Sequence, residues 1–145
     1  MKLYIPVASG VEASVKRQLS KLGYGDCPAL SGRICLEGTW QDVARLNVCL
    51  RAGERVLIGV GEFPSPDFDA LFDGVSAIAW EEWLSPHSHI LMDGKCVKSN
   101  LMAIKATGGV VKKAITKRIM QKFGVSSLDE RGERVIVGVF LNENT

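Results

Sequence analysis

Apolar and polar positions alternate in several distinct rhythms along the chain, and each change of rhythm predicts an element. Leu3 to Val7 reads as a first strand, kept short because Pro6 has no N–H to give to a central ladder. Ser9-Gly10-Val11-Glu12 predicts a capping box, with the serine oxygen accepting from first-turn amides and the glutamate reaching back. Val11, Val15, Leu19 and Leu22 then recur at three- and four-residue spacing, with Lys16, Arg17 and Lys21 on other faces. That period predicts an amphipathic helix, which Gly23 and Gly25 end. Asp26 to Ser31 and Gly32 to Gly38 read as two strands joined by a tight turn at Ser31-Gly32. Thr39-Trp40-Gln41-Asp42 is a second capping signature, ahead of a helix whose Val43, Leu46, Asn47 and Leu50 share a face. Arg55 to Val60 is a final strand-forming run.

The order strand, helix, strand, strand, helix, strand is the split βαβ of a ferredoxin-like domain, here spanning residues 1–63. RNA-recognition modules share the order and place stacking aromatics on their central strands. Tyr4 is the only ring on those strands here, which argues against base stacking on this sheet.

Pro64 and Pro66 bracket Ser65 and mark a boundary, with Ser65 expected to cap a helix and Pro66 to occupy its first position. Phe68, Leu71, Phe72 and Val75 form one stripe, continued by Trp80 and Trp83, and the rings read as a core layer. His89 to Met92 predicts a short strand ending in an Asp93-Gly94 turn, followed by Lys95 to Ser99 as a strand edge or exposed loop. A helix is expected from Gly109 to Phe123, closed by Gly124. Its Val111, Ile115, Ile119 and Phe123 run down one face, while Lys113 and Lys117 leave from the other with Lys112 beside them. Arg134 to Leu141 is a last strand that needs a neighbour, yet the chain stops at Thr145, which reads as a cut inside a domain.

Charge adds a second pattern. Net charge is only +2, but Gly94 to Val125 carries Lys95, Lys98, Lys105, Lys112, Lys113, Lys117, Arg118 and Lys122 without one acid. Gly61 to Asp93 holds seven acids and no lysine or arginine. A wholly basic block is what a polyanion docks against, although a solvated lysine-rich helix has the same composition. Arg118 and Lys122 lie nearer the apolar stripe and are expected to brace the fold. The acidic segment is expected to shield one side.

At 145 residues and 46% hydrophobic, the chain can bury a real core, as one domain or two. No apolar run approaches a membrane span, and the start lacks a secretory pattern. Cys27, Cys35, Cys49 and Cys96 show no metal-ligand spacing; the first three are expected as buried, reduced thiols in a cytoplasmic protein.

Catalytic patterns are thin. His87 and His89 have no third ligand near them in sequence, and Gly59-Val60-Gly61 is a bare GxG without a strand-to-helix setting. Asp67, Asp69 and Asp73 gather at a helix start, where acids face the helix dipole favourably. No catalytic residue and no metal ligand is expected.

Four blocks, in order, carry a resemblance: Phe68-Asp69-Ala70-Leu71-Phe72-Asp73-Gly74-Val75, Ala77-Ile78-Ala79-Trp80-Glu81-Glu82, Gly94-Lys95-Cys96-Val97-Lys98-Ser99-Asn100-Leu101 and Val110-Val111-Lys112-Lys113-Ala114-Ile115. Together with Gly10-Val11-Glu12 they resemble the THUMP-containing RNA methyltransferases, nearest to the bacterial 23S rRNA guanine-N2 enzymes and their RNA-methylase relatives in Gram-positive bacteria. The resemblance implies an α+β chain: the ferredoxin-like βαββαβ domain, then a THUMP-like α/β domain over residues 65–145, incomplete and truncated at its C-terminus. Between Leu101 and Val110 the family usually has a proline and a glutamine, where this chain has Lys105 and Gly108. The family's Rossmann-like domain, which holds S-adenosylmethionine and the catalytic motif, is not among these residues. No cofactor is therefore expected in this chain, and S-adenosylmethionine is implied for the full-length protein.

What the resemblance implies about partners is structured RNA, rRNA or alternatively tRNA, with no membrane. Lys95, Lys98, Lys105, Lys112, Lys113 and Lys117 are the candidate phosphate contacts, and Ser99 a hydroxyl donor to phosphate. Rival readings are a THUMP module of a tRNA-modifying enzyme and a ferredoxin-like regulatory or oligomerisation module that binds no RNA. An enzyme of acylphosphatase type would need an Arg–Asn phosphate pair on the first half, where Asn47 is the only asparagine.

Overall fold

A computed structural model describes residues 1–30, 32–97 and 104–142. It divides into two compact units, Met1–Val60 and Gly61–Thr145.

In the first unit, β1 (Lys2–Pro6), α1 (Glu12–Lys21), β2 (Ala29–Leu30), β3 (Arg33–Glu37), α2 (Trp40–Cys49) and β4 (Leu57–Ile58) follow the expected order. The sheet runs β2-β3-β1-β4, antiparallel throughout, with Leu3 opposite Leu36 and Ile5 opposite Ile34. Because side chains alternate across a strand, those four point together and are buried, against Val15 and Leu19 of α1 and Leu46 of α2. Cys27 is buried, but Cys35 is half-buried and Cys49 exposed. Cys49 falls off the buried face of α2, which Leu46 defines.

The two helix starts differ. Thr39 caps α2 as expected: its N–H donates to Asp42 Oδ2 at 2.8 Å, and its Oγ1 accepts from the Asp42 amide at 3.4 Å. The Tyr24 hydroxyl donates to Asp42 Oδ1 at 2.7 Å, and this bond, then those from Thr39, hold the Asp42 carboxyl below its ordinary range. Ser9 does not cap α1. Val11 N–H donates to Ala8, closing a turn with Gly10 at φ +90°, so Ser9 is inside the turn and Val11 is the N-cap. Glu12 still reaches back, accepting from Gly10 N–H at 2.8 Å. At the other end of α1, Gly23 N–H bonds Ser20 and Tyr24 N–H bonds Leu19, a Schellman closure with Gly23 at φ +92°.

The second unit comprises α3 (Phe68–Ala77), a 3-10 turn (Trp80–Glu82), β5 (His89–Val97), α4 (Ile104–Phe123) and β6 (Arg134–Asn142). Asp67, not Ser65, is the N-cap of α3: it is extended, and its Oδ1 accepts from Ala70 N–H at 2.8 Å. Pro66 therefore precedes the helix. Leu71, Val75 and Trp80 are buried, with Trp80 Nε1 donating to Val75 at 2.8 Å, while Phe68 and Trp83 are partly exposed. The core-layer reading fits the first group better than the second. Within α3, a Cβ at Gly74 would run into the Phe63 ring, so only glycine fits there.

β5 and β6 pair in parallel from His89 opposite Arg134 to Val97 opposite Asn142, with α4 as the crossover. Asp93-Gly94 is not a turn; the strand continues through it, and Asp93 Oδ1 accepts from Gly94 N–H at 2.9 Å. Likewise α4 begins at Ile104, five residues before the expected start, and runs through Gly108 and Gly109. Val111, Ala114, Ile115 and Ile119 are buried on the side facing the rest of the unit, but Phe123 is exposed at the end of the stripe.

Replacing Thr39 by alanine removes the cap and should destabilise the first unit by about 1 kcal/mol. Urea unfolding followed by tyrosine and tryptophan fluorescence checks this; a midpoint identical to that of the natural chain would contradict the assigned cap.

Candidate nucleic-acid interface

The basic residues of α4 divide into two sets according to what they touch. Arg118 and Lys122 belong to the fold. Arg118 donates from Nε and Nη2 to both oxygens of Glu81, at 3.1 and 2.8 Å, and from Nη1 to the Ser76 carbonyl at 3.1 Å. Lys122 Nζ lies 3.7 Å from the same carboxylate. The fork geometry of a guanidinium suits this two-point contact. It ties α4 to the end of α3 and to the 3-10 turn.

The Glu81 carboxyl is held down to about 2, chiefly by the Arg118 hydrogen bonds. Its ordinary value is 4.5, so the folded state binds the proton less readily than the unfolded chain. Stability from this contact is fully present above about pH 4.5 and is lost as pH falls through about 2. Glu81→Gln should therefore lower the urea midpoint at pH 7, with the gap to the natural chain closing steadily between pH 4.5 and 2. A gap of constant size across that range would show that the ion pair contributes nothing.

The other lysines look outward, to different degrees. Lys112 Nζ is 2.9 Å from Glu130 Oε1 and half-buried, and the lysine holds the Glu130 carboxyl below its ordinary range. Lys117 is exposed but lies over the Phe72 ring, 5.4 Å from its centroid. Lys105 and Lys113 are exposed, and no partner engages either among the described residues. Lys95 is on β5 rather than in a loop. Lys98 and Ser99 lie outside the described residues.

At 3.6 residues per turn, Lys105, Gly109, Lys113 and Lys117 form one ridge, and all four are exposed together with Ala106. α4 contains no acid at all. Next to the ridge is a depression of about 290 Å³ lined by Met92, Asp93, Gly94, Lys105, Thr107, Gly108, Gly109, Lys112 and Val139. Asp93 and Glu130 were not foreseen here. Asp93 arrives on β5 and Glu130 on the segment between α4 and β6, and no local signal in the sequence places either beside these lysines. The charge sorting along the chain is thus only partly a sorting in space: Glu81 and Glu130 neutralise basic residues, Asp67 caps a helix, and Asp93 borders the lysines.

No group of acids, histidines or cysteines among the described residues could hold a metal ion. The Gly59-Val60-Gly61 stretch does not fit a nucleoside cofactor. β4 ends at Ile58 and the next helix begins only at Phe68. A Cβ at Gly59 would meet Tyr4, and one at Gly61 would meet Ile78, so the space above these glycines is filled.

Residues 2–57 match the family model described as the RlmL ferredoxin-like domain, and residues 65–145 match the THUMP domain. The chain belongs to the THUMP-domain family. The RNA-methyltransferase candidate YpsC of Bacillus subtilis (strain 168) is 31% identical over 97% of this chain. The ribosomal RNA large subunit methyltransferase K/L of Syntrophotalea carbinolica is 24% identical over 85% of it. The chain spans only 38% and 17% of these two relatives' lengths. Among solved structures, the candidate methyltransferase SMU.472, crystallised in complex with SAH, superposes with TM-score 0.88 at 34% identity, over 99% of this chain and 39% of that one. The ferredoxin-like unit followed by a THUMP unit is therefore the architecture of this chain. No helix among the described residues is long and apolar enough to cross a membrane.

Proposed function

We propose that this chain is the RNA-binding N-terminal region of an S-adenosylmethionine-dependent RNA methyltransferase, with domains over residues 1–63 and 65–145. Its role is to hold structured RNA so that a catalytic domain elsewhere in the longer cytoplasmic protein reaches one nucleotide. The observation that carries the reading is the acid-free, lysine-bearing outer face of α4, lying inside the THUMP match. Phosphate contacts of this kind fix the position of an RNA without reading its sequence. The lysines do no chemistry. S-adenosylmethionine would supply the methyl group, and it would be held outside these residues, whose Gly59-Val60-Gly61 stretch does not fit it.

The substrate we favour is 23S rRNA, methylated at a guanine N2. Support comes from the large-subunit rRNA name of the K/L relative. Within the candidate set, Lys105 and Lys113 are the primary phosphate contacts because no partner engages them among the described residues, and Lys117 joins them by lifting off Phe72. Lys112 is secondary, since binding RNA would compete with Glu130. Lys95, Lys98 and Ser99 are kept as further candidate contacts from the sequence pattern.

Charge reversal at Lys105 and Lys113 together should weaken binding of a 23S rRNA transcript by about tenfold or more at low salt, with the circular dichroism spectrum unchanged. The natural chain should lose affinity steeply as salt rises, and the double variant less steeply, because each phosphate contact releases counterions. Fluorescence anisotropy measures both. Affinity indifferent to salt and to the double substitution would end the RNA reading. Tighter binding of bulk tRNA than of the rRNA transcript would move the substrate to tRNA.

A further inference from the structure

The ridge on α4 holds a feature that packing among the described residues does not account for. Gly108 and Gly109 sit inside a helix of twenty residues. Glycine there is unfavourable by about 1 kcal/mol relative to alanine at each position. Gly74 in α3 has a structural reason for being glycine, since the Phe63 ring occupies the place of its missing Cβ. Gly109 has none of this kind: it is exposed, and no described atom lies within 4 Å of where its Cβ would stand. At Gly108 the nearest contact would be Met92 at 3.6 Å, an ordinary van der Waals distance. Neither glycine has the positive φ that would require one.

The surroundings of Gly109 are specific. Lys105 precedes it by one helical turn and Lys113 follows it by one, so two ammonium groups with no partner among the described residues stand on the same ridge about 12 Å apart along the axis. Between them the helix surface is bare backbone, flanked by Ala106 and by the depression that Lys105, Gly108, Gly109 and Lys112 line. A negatively charged chain drawn to both lysines would meet no side chain between them.

We propose that Gly109 is the point of closest approach of the RNA backbone, which lies against α4 between Lys105 and Lys113. This deepens the RNA-binding reading and rests on it. The absence of a side chain lets the sugar–phosphate chain come into van der Waals contact with the helix backbone, so that both lysines reach phosphates at once. Any side chain at position 109 would hold the strand off the helix and lengthen both charge contacts. The helix gives up some stability at this position in exchange for contact.

The test sets stability against binding. Gly109→Ala and Gly109→Gln are made in the 145-residue chain. Thermal unfolding is measured for each, and binding to a 23S rRNA transcript and to bulk tRNA is measured by anisotropy. Both variants should melt at or above the temperature of the natural chain, because both residues are better helix formers than glycine. Both should nevertheless bind RNA more weakly. The loss should grow with side-chain length, reaching about tenfold for glutamine, the scale of one charge-assisted hydrogen bond. A merely structural role would move melting and binding in the same direction, and that result would overturn the inference. So would affinity unchanged in both variants. The variant with Lys105→Glu and Lys113→Glu then separates the two failures. If it loses binding while the Gly109 variants do not, the lysine surface stands and only the close approach falls. If neither loses binding, the RNA reading falls as well.

Discussion

Helix α4 must bury Thr107, Val111, Ala114, Ile115 and Ile119, and the direction in which it turns that stripe decides what the second unit presents to solvent. Burial of apolar side chains supplies most of the stability, but the stripe alone does not fix the rotation of the helix about its axis closely. Arg118 narrows it. Its guanidinium is planar and its partners, Glu81 and the Ser76 carbonyl, lie on α3 and the turn behind it, so the bonds are satisfied over a small range of helix rotation. With the helix locked there, Lys105, Gly109, Lys113 and Lys117 come out on the far side. The basic surface is a consequence of how the apolar and ion-paired residues pack.

Local chemistry was legible where the partners are close in sequence. Thr39 and Asp42 form their box within one turn, and Gly23 closes α1 through bonds to residues immediately before it. Where two local signals compete, their spacing alone does not rank them. Ser9 and Ser65 are good caps in isolation, but Gly10 draws Ser9 into a turn, and Asp67 stands nearer the apolar stripe than Ser65 does. Long-range pairing overrode the signals at Asp93-Gly94 and Gly108-Gly109. Nine consecutive pairs with β6 hold β5 extended through a dipeptide that would otherwise turn. In the same way, burial of Thr107 and Val111 on either side carries the helix through two weak positions.

The candidate interface was legible as a composition and not as an arrangement. Eight basic residues with no acid between them say that a polyanion could dock, yet they do not say which are already engaged. Glu81, Glu130 and Phe72 decide that, and each reaches those basic residues from outside α4. The placement of Arg118 and Lys122 with the fold could be read, because helical periodicity puts them beside the buried stripe. The engagement of Lys112 could not. Its angular position on the helix is outward enough, and only the return of the chain through Glu130 covers it.

The two interior glycine sites in this unit sharpen the distinction between structure and function. Helix glycines are disfavoured by the same backbone entropy wherever they occur, so each needs a compensating contact. At Gly74 that contact is within the molecule and visible: an aromatic ring rests on the helix backbone. At Gly109 the same vacancy opens outward, between two lysines that have no partner among the described residues. If a close approach is what a helix glycine is for, then the approaching surface at Gly74 is Phe63, and at Gly109 it is none of the described residues. Its charge has to be negative and its width small enough to fit between adjacent side-chain rows. A single strand of nucleic-acid backbone satisfies both conditions.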